Sequence, residues 1–241
     1  MFSAYFDASG NSTTSVLTVC GFVSRVSKWN RFNEEWAALL AGENVSSFHM
    51  TDFVSSKGEF SEWKGQSARR KRFIGALAEC INRNTNKGFG SSVVISDFED
   101  VNRDYLLREM TGTPYVMSMR AALGGITRWA TRKGVKTENL LVAIESGDES
   151  QGELIKRARQ DGFKVVPLDK ADASAFQAGD MAAWKFRTAI HNTVYGPMTK
   201  IEDMESVLRS MDPIKHLVQN NGVYDKESML KLCDVGNVPR R

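Results

Sequence analysis

The sequence has few cysteines and no long apolar run. Its three cysteines, Cys20, Cys80 and Cys233, lie far apart and are odd in number, so they indicate neither a disulfide framework nor a CxxC zinc motif. No apolar run is long enough to span a membrane, and the first residues do not combine a basic segment with an apolar core. We therefore expect a cytoplasmic protein that does not insert into a membrane.

Internal repeats, low-complexity linkers and a strong charge imbalance are also missing. Hydrophobic residues make up 41% of the 241 residues and charged residues 25%, which is typical of a globular protein. We expect one domain over 1–195, with 196–241 as its helical C-terminal appendage. The net charge of +3 permits a nucleic-acid partner but does not by itself argue for one.

Five segments are predicted as strands. Phe2, Ala4 and Phe6 alternate with polar residues up to a turn cluster at 9–12, which predicts a strand that enters a hairpin. Apolar or β-branched runs predict the other strands at 16–23, 91–98, 139–145 and 163–168. Pro167 cannot donate a backbone hydrogen bond, so it places the fifth strand toward a sheet edge.

Apolar residues at helical spacing predict the helices. They lie at about 27–42, 66–84, 114–133, 150–161, 175–192, 201–210 and 225–232. The first two belong to an insertion over 27–88, between the second and third strands. Ser150 and Glu153 have the spacing of a capping box at the start of the fourth helix.

Without the insertion, the predicted order is β-β-β-α-β-α-β-α, which is the connectivity of the RNase-H-like fold. We therefore predict an α/β fold with a mixed five-stranded sheet flanked by helices. In that fold the first strand carries an Asp, the fourth strand ends in an acid, and the last helix presents another. Asp7, Glu145 and Asp180 occupy these places, and Asp148 follows three residues after Glu145.

Converging carboxylates would repel one another, and a divalent cation relieves that repulsion. Mg²⁺ and Mn²⁺ prefer hard oxygen ligands, and two such ions about 3.5–4 Å apart can activate a water and stabilise the leaving oxygen of a phosphodiester. We predict Asp7, Glu145 and Asp180 as ligands of Mg²⁺ or Mn²⁺, with Asp148 as an outer or fourth ligand. Each acid also has a purely structural alternative. Asp7 could cap the turn that follows it, Glu145 could cap a turn or pair with a lysine, and Asp180 could be an ordinary polar residue at the edge of a helix.

His49 lies in the insertion, three residues before Asp52. His49 could act as a general base, a proton shuttle or a metal ligand, with Asp52 fixing its tautomer or reaching the metal. Alternatively, the pair could only stabilise the insertion.

Four consecutive cations, Arg69, Arg70, Lys71 and Arg72, open the predicted helix at 66–84. Cations at this end oppose the helix dipole, so another interaction must favour them. A nucleic-acid phosphate backbone is one candidate, and a solvated charged face is the other.

Four stretches resemble the motifs of a microbial family of RNase-H-like proteins, the domain-of-unknown-function family 3800 (DUF3800). They are YFDASGN, FHMTDF with the following F-x-x-W, AIESGD and FQAGDMAAW, and the resemblance runs from about residue 2 to residue 187. The first motif of the family usually reads Asp-Glu-Ser-Gly, whereas this chain has Ala8 in place of the Glu.

The resemblance implies a metal-dependent nuclease, often associated with mobile elements or defence. The family pattern carries over onto Asp7, His49, Asp52, Glu145 and Asp180. Our first hypothesis is therefore a Mg²⁺- or Mn²⁺-dependent phosphodiesterase acting on DNA or RNA. The second is an RNase-H-like binding module without turnover, and the third is a hydrolase of another phosphorylated substrate.

Overall fold

The computed structural model describes residues 1–147, 150–197, 207, 209–214 and 222–241. Its strands form one mixed sheet in the order β5-β4-β1-β2-β3-β6. The strands are β1 (Phe2–Ser9), β2 (Val16–Arg25), β3 (Lys87–Val94), β4 (Leu140–Glu145), β5 (Lys164–Leu168) and β6 (Gly222–Tyr224). The predicted mixed α/β sheet flanked by helices is confirmed.

The sheet has six strands instead of the five predicted. The additional strand, β6, is three residues long and pairs in parallel with Ser91–Val93 of β3. A segment this short has no readable alternation in the sequence, so its conformation depends on pairing with β3.

The strand directions bring the carboxyl ends of three strands to the same end of the sheet. β1 is antiparallel to β2, with Asp7 opposite Cys20, and parallel to β4, with Phe6 opposite Ile144. β4 is parallel to β5, which lies at the edge of the sheet as Pro167 predicts. The carboxyl ends of β1, β4 and β5 therefore meet, and ligand sites commonly lie at such an edge.

Helices cover both faces of the sheet. They are α1 (Val26–Gly42), α2 (Met50–Ser55), α3 (Ser67–Asn84), α4 (Ile95–Asp104), α5 (Leu107–Thr111), α6 (Pro114–Lys133), α7 (Gln151–Gln160), α8 (Ala175–Tyr195) and α9 (Lys226–Val235). The predicted helix at 201–210 lies mostly outside the described residues. No helix in the described part of the chain is both long and apolar enough to cross a membrane.

Each face of the sheet has its own apolar core. On one face, α6 packs with residues such as Phe6, Val142 and Phe98. On the other, the insertion helices α1, α2 and α3 pack with α8 in a core rich in aromatic rings. Because neighbouring residues of a strand point to opposite faces, Asp7 faces α8 and Ala8 faces the α6 side.

Two local predictions are wrong. The predicted strand at 91–98 ends at Val94, and the chain turns directly into α4. Ile95, Phe98 and Val101 are three residues apart and all buried, so a helical face continues the apolar run. Ser150 makes no side-chain cap bond to its helix; its Oγ lies 2.9 Å from Thr113 Oγ1, the side chain that caps α6.

Gly179 allows α8 to lie very close to β1. A Cβ at this position would stand 3.1 Å from both the Cβ and the backbone N of Asp7, and 3.2 Å from the Cys20 carbonyl oxygen. The next residue of the helix is Asp180. The missing side chain of Gly179 therefore determines how near Asp180 approaches Asp7.

We expect Gly179→Ala to destabilise the fold, because the added methyl forces α8 and β1 apart. The free energy of unfolding, measured by chemical denaturation, should fall by about 1–3 kcal/mol relative to the control. The control is Gly124→Ala in α6, where the nearest atom to the added Cβ is the mobile Arg128 Nη1 at 3.7 Å. The control should be neutral or up to about 1 kcal/mol more stable. Equal effects in the two helices would contradict the close packing.

Candidate active site

Asp7 is a buried carboxylate two residues before the end of β1. Its Oδ1 accepts a hydrogen bond from the Ala8 backbone N at 2.7 Å. Its Oδ2 accepts one from Lys170 Nζ at 2.8 Å. Both carboxylate oxygens therefore have partners, and only one of them is backbone.

Lys170 connects the ends of three strands. It lies in a 3₁₀ turn, Lys170–Asp172, two residues after β5. Its Nζ is also 3.4 Å from Oε2 of Glu145, the last residue of β4. One ammonium group therefore bridges two of the predicted metal ligands.

Asp180 is the third acid, and it is held by the insertion. It is 4% exposed, and its Oδ2 accepts a hydrogen bond from the Met50 backbone N at 2.8 Å. Met50 is the first residue of α2. The insertion therefore folds back over the sheet end, with the start of α2 against α8.

The same contact brings His49 to the acids. His49 Nε2 is 3.9 Å from Asp180 Oδ2, which is too long for a hydrogen bond but within ion-pair distance if the ring is protonated. On its other side, Nδ1 is 3.3 Å from Asp52 Oδ2. Both side chains are a little under half exposed, so the ring lies at the mouth of the site beside Asp180.

Gln177 aligns this segment with α8, and the sequence predictions missed it. Its buried Oε1 accepts hydrogen bonds from Trp36 Nε1 at 2.8 Å and from the Phe48 backbone N at 2.9 Å. Gln177 and Asp180 lie three residues apart on one helix face. Gln177 accepts the backbone N–H of the residue before His49, and Asp180 accepts that of the residue after it. Lys170 was also missed; its position two residues after a predicted strand was visible in the sequence, but its contacts with Asp7 and Glu145 were not.

The acids and the lysine change one another's protonation. Burial raises the pKa of Asp7 well above its ordinary value; Lys170 opposes this, while a side-chain hydrogen bond to Glu145 and the charge of Asp180 add to it. Burial also raises the pKa of Asp180, against the effect of Lys170. Burial disfavours the Lys170 ammonium, but Asp7, Asp180 and Glu145 outweigh it and raise its pKa. Burial therefore outweighs the opposing effect of Lys170 at both Asp7 and Asp180.

The four consecutive cations of α3 do not share one surface. Arg70 is buried; its guanidinium donates to Ser56 Oγ and to the Val54 carbonyl oxygen, and lies 4.8 Å from the centroid of the Phe53 ring. The expectation that Arg70 contacts nucleic acid is therefore withdrawn, because its charge stabilises the end of α2.

The other three cations differ from Arg70 and from one another. Arg69 pairs with Glu43 at 2.7 Å and lies over the Trp63 ring at 4.0 Å. Lys71 is half-buried and Arg72 is exposed. Of the predicted basic cluster, Arg72 is therefore the side chain most open to a phosphate.

The structure brings Asp7, Glu145, Asp180 and His49 together, but not as a ready metal centre. Within residues 1–147, 150–197 and the described parts of the tail, no three His, Cys, Asp or Glu side chains are grouped to hold a metal ion. Asp148, the predicted outer or fourth ligand, lies outside the described residues.

A cavity of about 340 Å³ lies at the same end of the sheet, but on its α6 side, and neither Asp7, Glu145 nor Asp180 lines it. Its lining includes Ala8, the neighbour of Asp7, and Gly147, two residues after Glu145. Tyr115 and Arg108 also line it. A mixed apolar and polar cavity of this size is large enough for part of a nucleotide.

Comparison of the sequence with protein-family models finds no match, and comparison with curated proteins finds no significant match. The resemblance to the DUF3800 family therefore stays a prediction.

The raised pKa values predict how stability depends on pH in EDTA. Because the pKa of Asp7 is higher in the folded chain, the folded state binds more protons than the unfolded state above about pH 4, and Asp7 loses its stabilising contribution as pH rises through the folded value. Asp7→Asn removes this loss. The free energy of unfolding of Asp7→Asn minus that of the wild type should therefore increase from pH 5 to pH 8.

Asp104→Asn, at the exposed end of α4, is the control, and its difference from the wild type should change less with pH. A difference for Asp7→Asn that stays constant or falls with pH would contradict the raised pKa of Asp7.

Proposed function

We propose that this protein is a divalent-metal-dependent phosphodiesterase of RNase-H-like fold that hydrolyses DNA or RNA. The observation that carries the proposal is the meeting of Asp7, Glu145 and Asp180 at one sheet edge. Asp7 lies more than a hundred residues before Glu145 and Asp180 in the sequence, and Asp7 and Asp180 are buried. Buried carboxylates are costly to a fold, so their convergence favours a functional site.

The sheet topology supports the RNase-H-like part of the proposal. The order β5-β4-β1-β2-β3, with β2 antiparallel to its neighbours, is the arrangement expected of that fold. The acids lie on β1, at the end of β4 and on α8, where the resemblance to the DUF3800 family places them. An association with mobile elements or defence belongs to the same proposal.

The donor set fits Mg²⁺ or Mn²⁺, which prefer carboxylate oxygens. Burial is the main cause of the raised pKa of Asp7, and Glu145 and Asp180 add to it. Asp7, Glu145 and Asp180 would hold the metal, with Asp148 as a further ligand. When bound, the metal supplies Lewis-acid stabilisation and lowers the pKa of a water.

His49 is the proposed general base, and Asp52 orients it. In the tautomer in which Nδ1 donates to Asp52, the Nε2 atom near Asp180 carries no proton and can accept one from an attacking water. The neighbouring carboxylate of Asp180 then stabilises the imidazolium that forms.

The proposed substrate is a nucleic-acid strand laid along the sheet end. The cavity lined by Ala8, Gly147, Tyr115 and Arg108 would take a nucleotide farther along the strand, on the α6 side of the sheet end. Arg69, Lys71 and Arg72 remain candidates for backbone phosphates farther along the strand. We propose a cytoplasmic location.

A second candidate is a binding module of the same fold without turnover. Ala8, in place of the Glu of the family pattern, favours it, and so does the Lys170 ammonium between Asp7 and Glu145. A Mn²⁺-binding measurement distinguishes the two candidates. Only the phosphodiesterase requires a bound metal, so only in that case should the wild type bind Mn²⁺ and Asp7→Asn lose that binding.

For the phosphodiesterase, we expect Asp7→Asn to lose metal-dependent cleavage while staying folded. Activity on labelled single- and double-stranded DNA and RNA, with Mn²⁺ or Mg²⁺, should fall below about 1% of the wild type, since metal contacts contribute several kcal/mol to catalysis. Asp104→Asn is the matched control and should keep its activity. If a folded Asp7→Asn variant cleaved at the wild-type rate, Asp7 would not be a metal ligand.

We expect His49→Ala to lower turnover by roughly two to four orders of magnitude, with little change in Tm or in Mn²⁺ affinity. His191→Ala is the control, because His191 lies eleven residues past Asp180, about 16 Å along α8. If activity were lost only in proportion to a fall in Tm, His49 would merely stabilise the insertion.

A further inference from the structure

Lys170 occupies the centre of the candidate site, and nothing in the proposed reaction uses it. Its Nζ is 2.8 Å from Asp7 Oδ2 and 3.4 Å from Glu145 Oε2. The ammonium group is thus placed between two of the three acids that the proposed function assigns to a metal.

The contacts of Asp7 and Asp180 leave few oxygens for another cation. Asp7 Oδ1 is taken by the Ala8 backbone N, and Asp180 Oδ2 by the Met50 backbone N. Of the two Asp7 oxygens, Oδ2 is the one not used by backbone, and Lys170 holds it. A metal that binds Asp7 through Oδ2 must therefore compete with the ammonium.

Lys170 also lowers the cost of burying this cluster of acids. Asp7 and Asp180 are 5% and 4% exposed, and an uncompensated buried carboxylate is strongly destabilising. A positive charge in contact with Asp7 and Glu145 relieves part of that cost. It belongs to the chain itself, so the charge is present whether or not metal is available.

The lysine has a way out of the site. Its side chain is 29% exposed, unlike that of Asp7 at 3%. The Lys170–Asp172 turn that carries it is one short 3₁₀ segment, and the four-carbon stem of a lysine side chain is flexible. The ammonium can therefore move into solvent while β5 and the turn stay in place.

We infer that Lys170 is a built-in counter-ion that occupies the proposed metal position when no cation is bound and is displaced when a divalent cation binds. This inference rests on the proposed metal site. It adds regulation to that site: the lysine lowers the apparent metal affinity, so that the site fills only when the cation concentration is sufficient.

The experiment measures Mn²⁺ binding to the full chain by isothermal titration calorimetry at pH 8, after removal of metal with EDTA. Lys170→Met removes the competing charge and should bind Mn²⁺ at least about tenfold more tightly than the wild type. Lys170→Arg keeps a permanent charge that can pair with both acids, so it should bind Mn²⁺ no more tightly than the wild type. Lys164→Met, an exposed lysine on β5, is the matched control and should leave the affinity unchanged.

The outcomes separate this inference from the proposed function. Tighter binding by Lys170→Met supports it, even if the wild type itself shows no binding. If the wild type binds Mn²⁺ and a folded Lys170→Met binds it equally or more weakly, the counter-ion inference is wrong and the proposed metal site is retained. Absence of binding in both overturns both. Far-UV circular dichroism checks the fold, and Lys170→Gln, which keeps an N–H donor, replaces Lys170→Met if the latter does not fold.

Discussion

The contact of Lys170 with Asp7 and Glu145 is the interaction on which the candidate site depends. Three acids converge at the carboxyl ends of parallel strands and on the helix above them, and two of these acids, Asp7 and Asp180, are buried and poorly hydrated. One ammonium group offsets part of this charge, and burial raises the pKa of both Asp7 and Asp180. The contact with Lys170 therefore lowers the cost of burying Asp7 beside Glu145.

The acids meet because α8 can approach the sheet closely. Gly179 has no side chain where α8 crosses Asp7 and the Cys20 carbonyl group, so the helix backbone lies in van der Waals contact with the strands. A larger residue would hold Asp180 away from Asp7. The geometry of the site therefore depends on an absent side chain as well as on the three charged ones.

The insertion contributes a catalytic candidate as well as an apolar core. Gln177 and Asp180 of α8 accept the backbone N–H groups of Phe48 and Met50, and His49 lies between these two bonds. Arg70 stabilises the other end of α2 through the Val54 carbonyl group and Ser56. A cation that resembled a nucleic-acid contact in the sequence is thus part of the support that positions His49.

The sequence by itself determined the elements that depend on local patterns. Three local patterns were sufficient to place Asp7, Glu145 and Asp180 on their elements: the alternation along β1, the apolar run of β4 and the helical stripe of α8. Pro167 was sufficient to place β5 at the edge of the sheet. These features are readable because periodicity and backbone chemistry act within a few residues.

Only the tertiary structure decided which distant groups meet. Lys170 reaches Asp7 across 163 positions and Gln177 reaches Phe48 across 129, and no local pattern encodes such contacts. The same holds for β6, which is a strand because β3 pairs with it, and for Arg70, whose burial depends on α2 folding against α3. Long-range packing selects one partner for each charge, and that selection turned four acidic and basic residues of separate segments into one electrostatically coupled site.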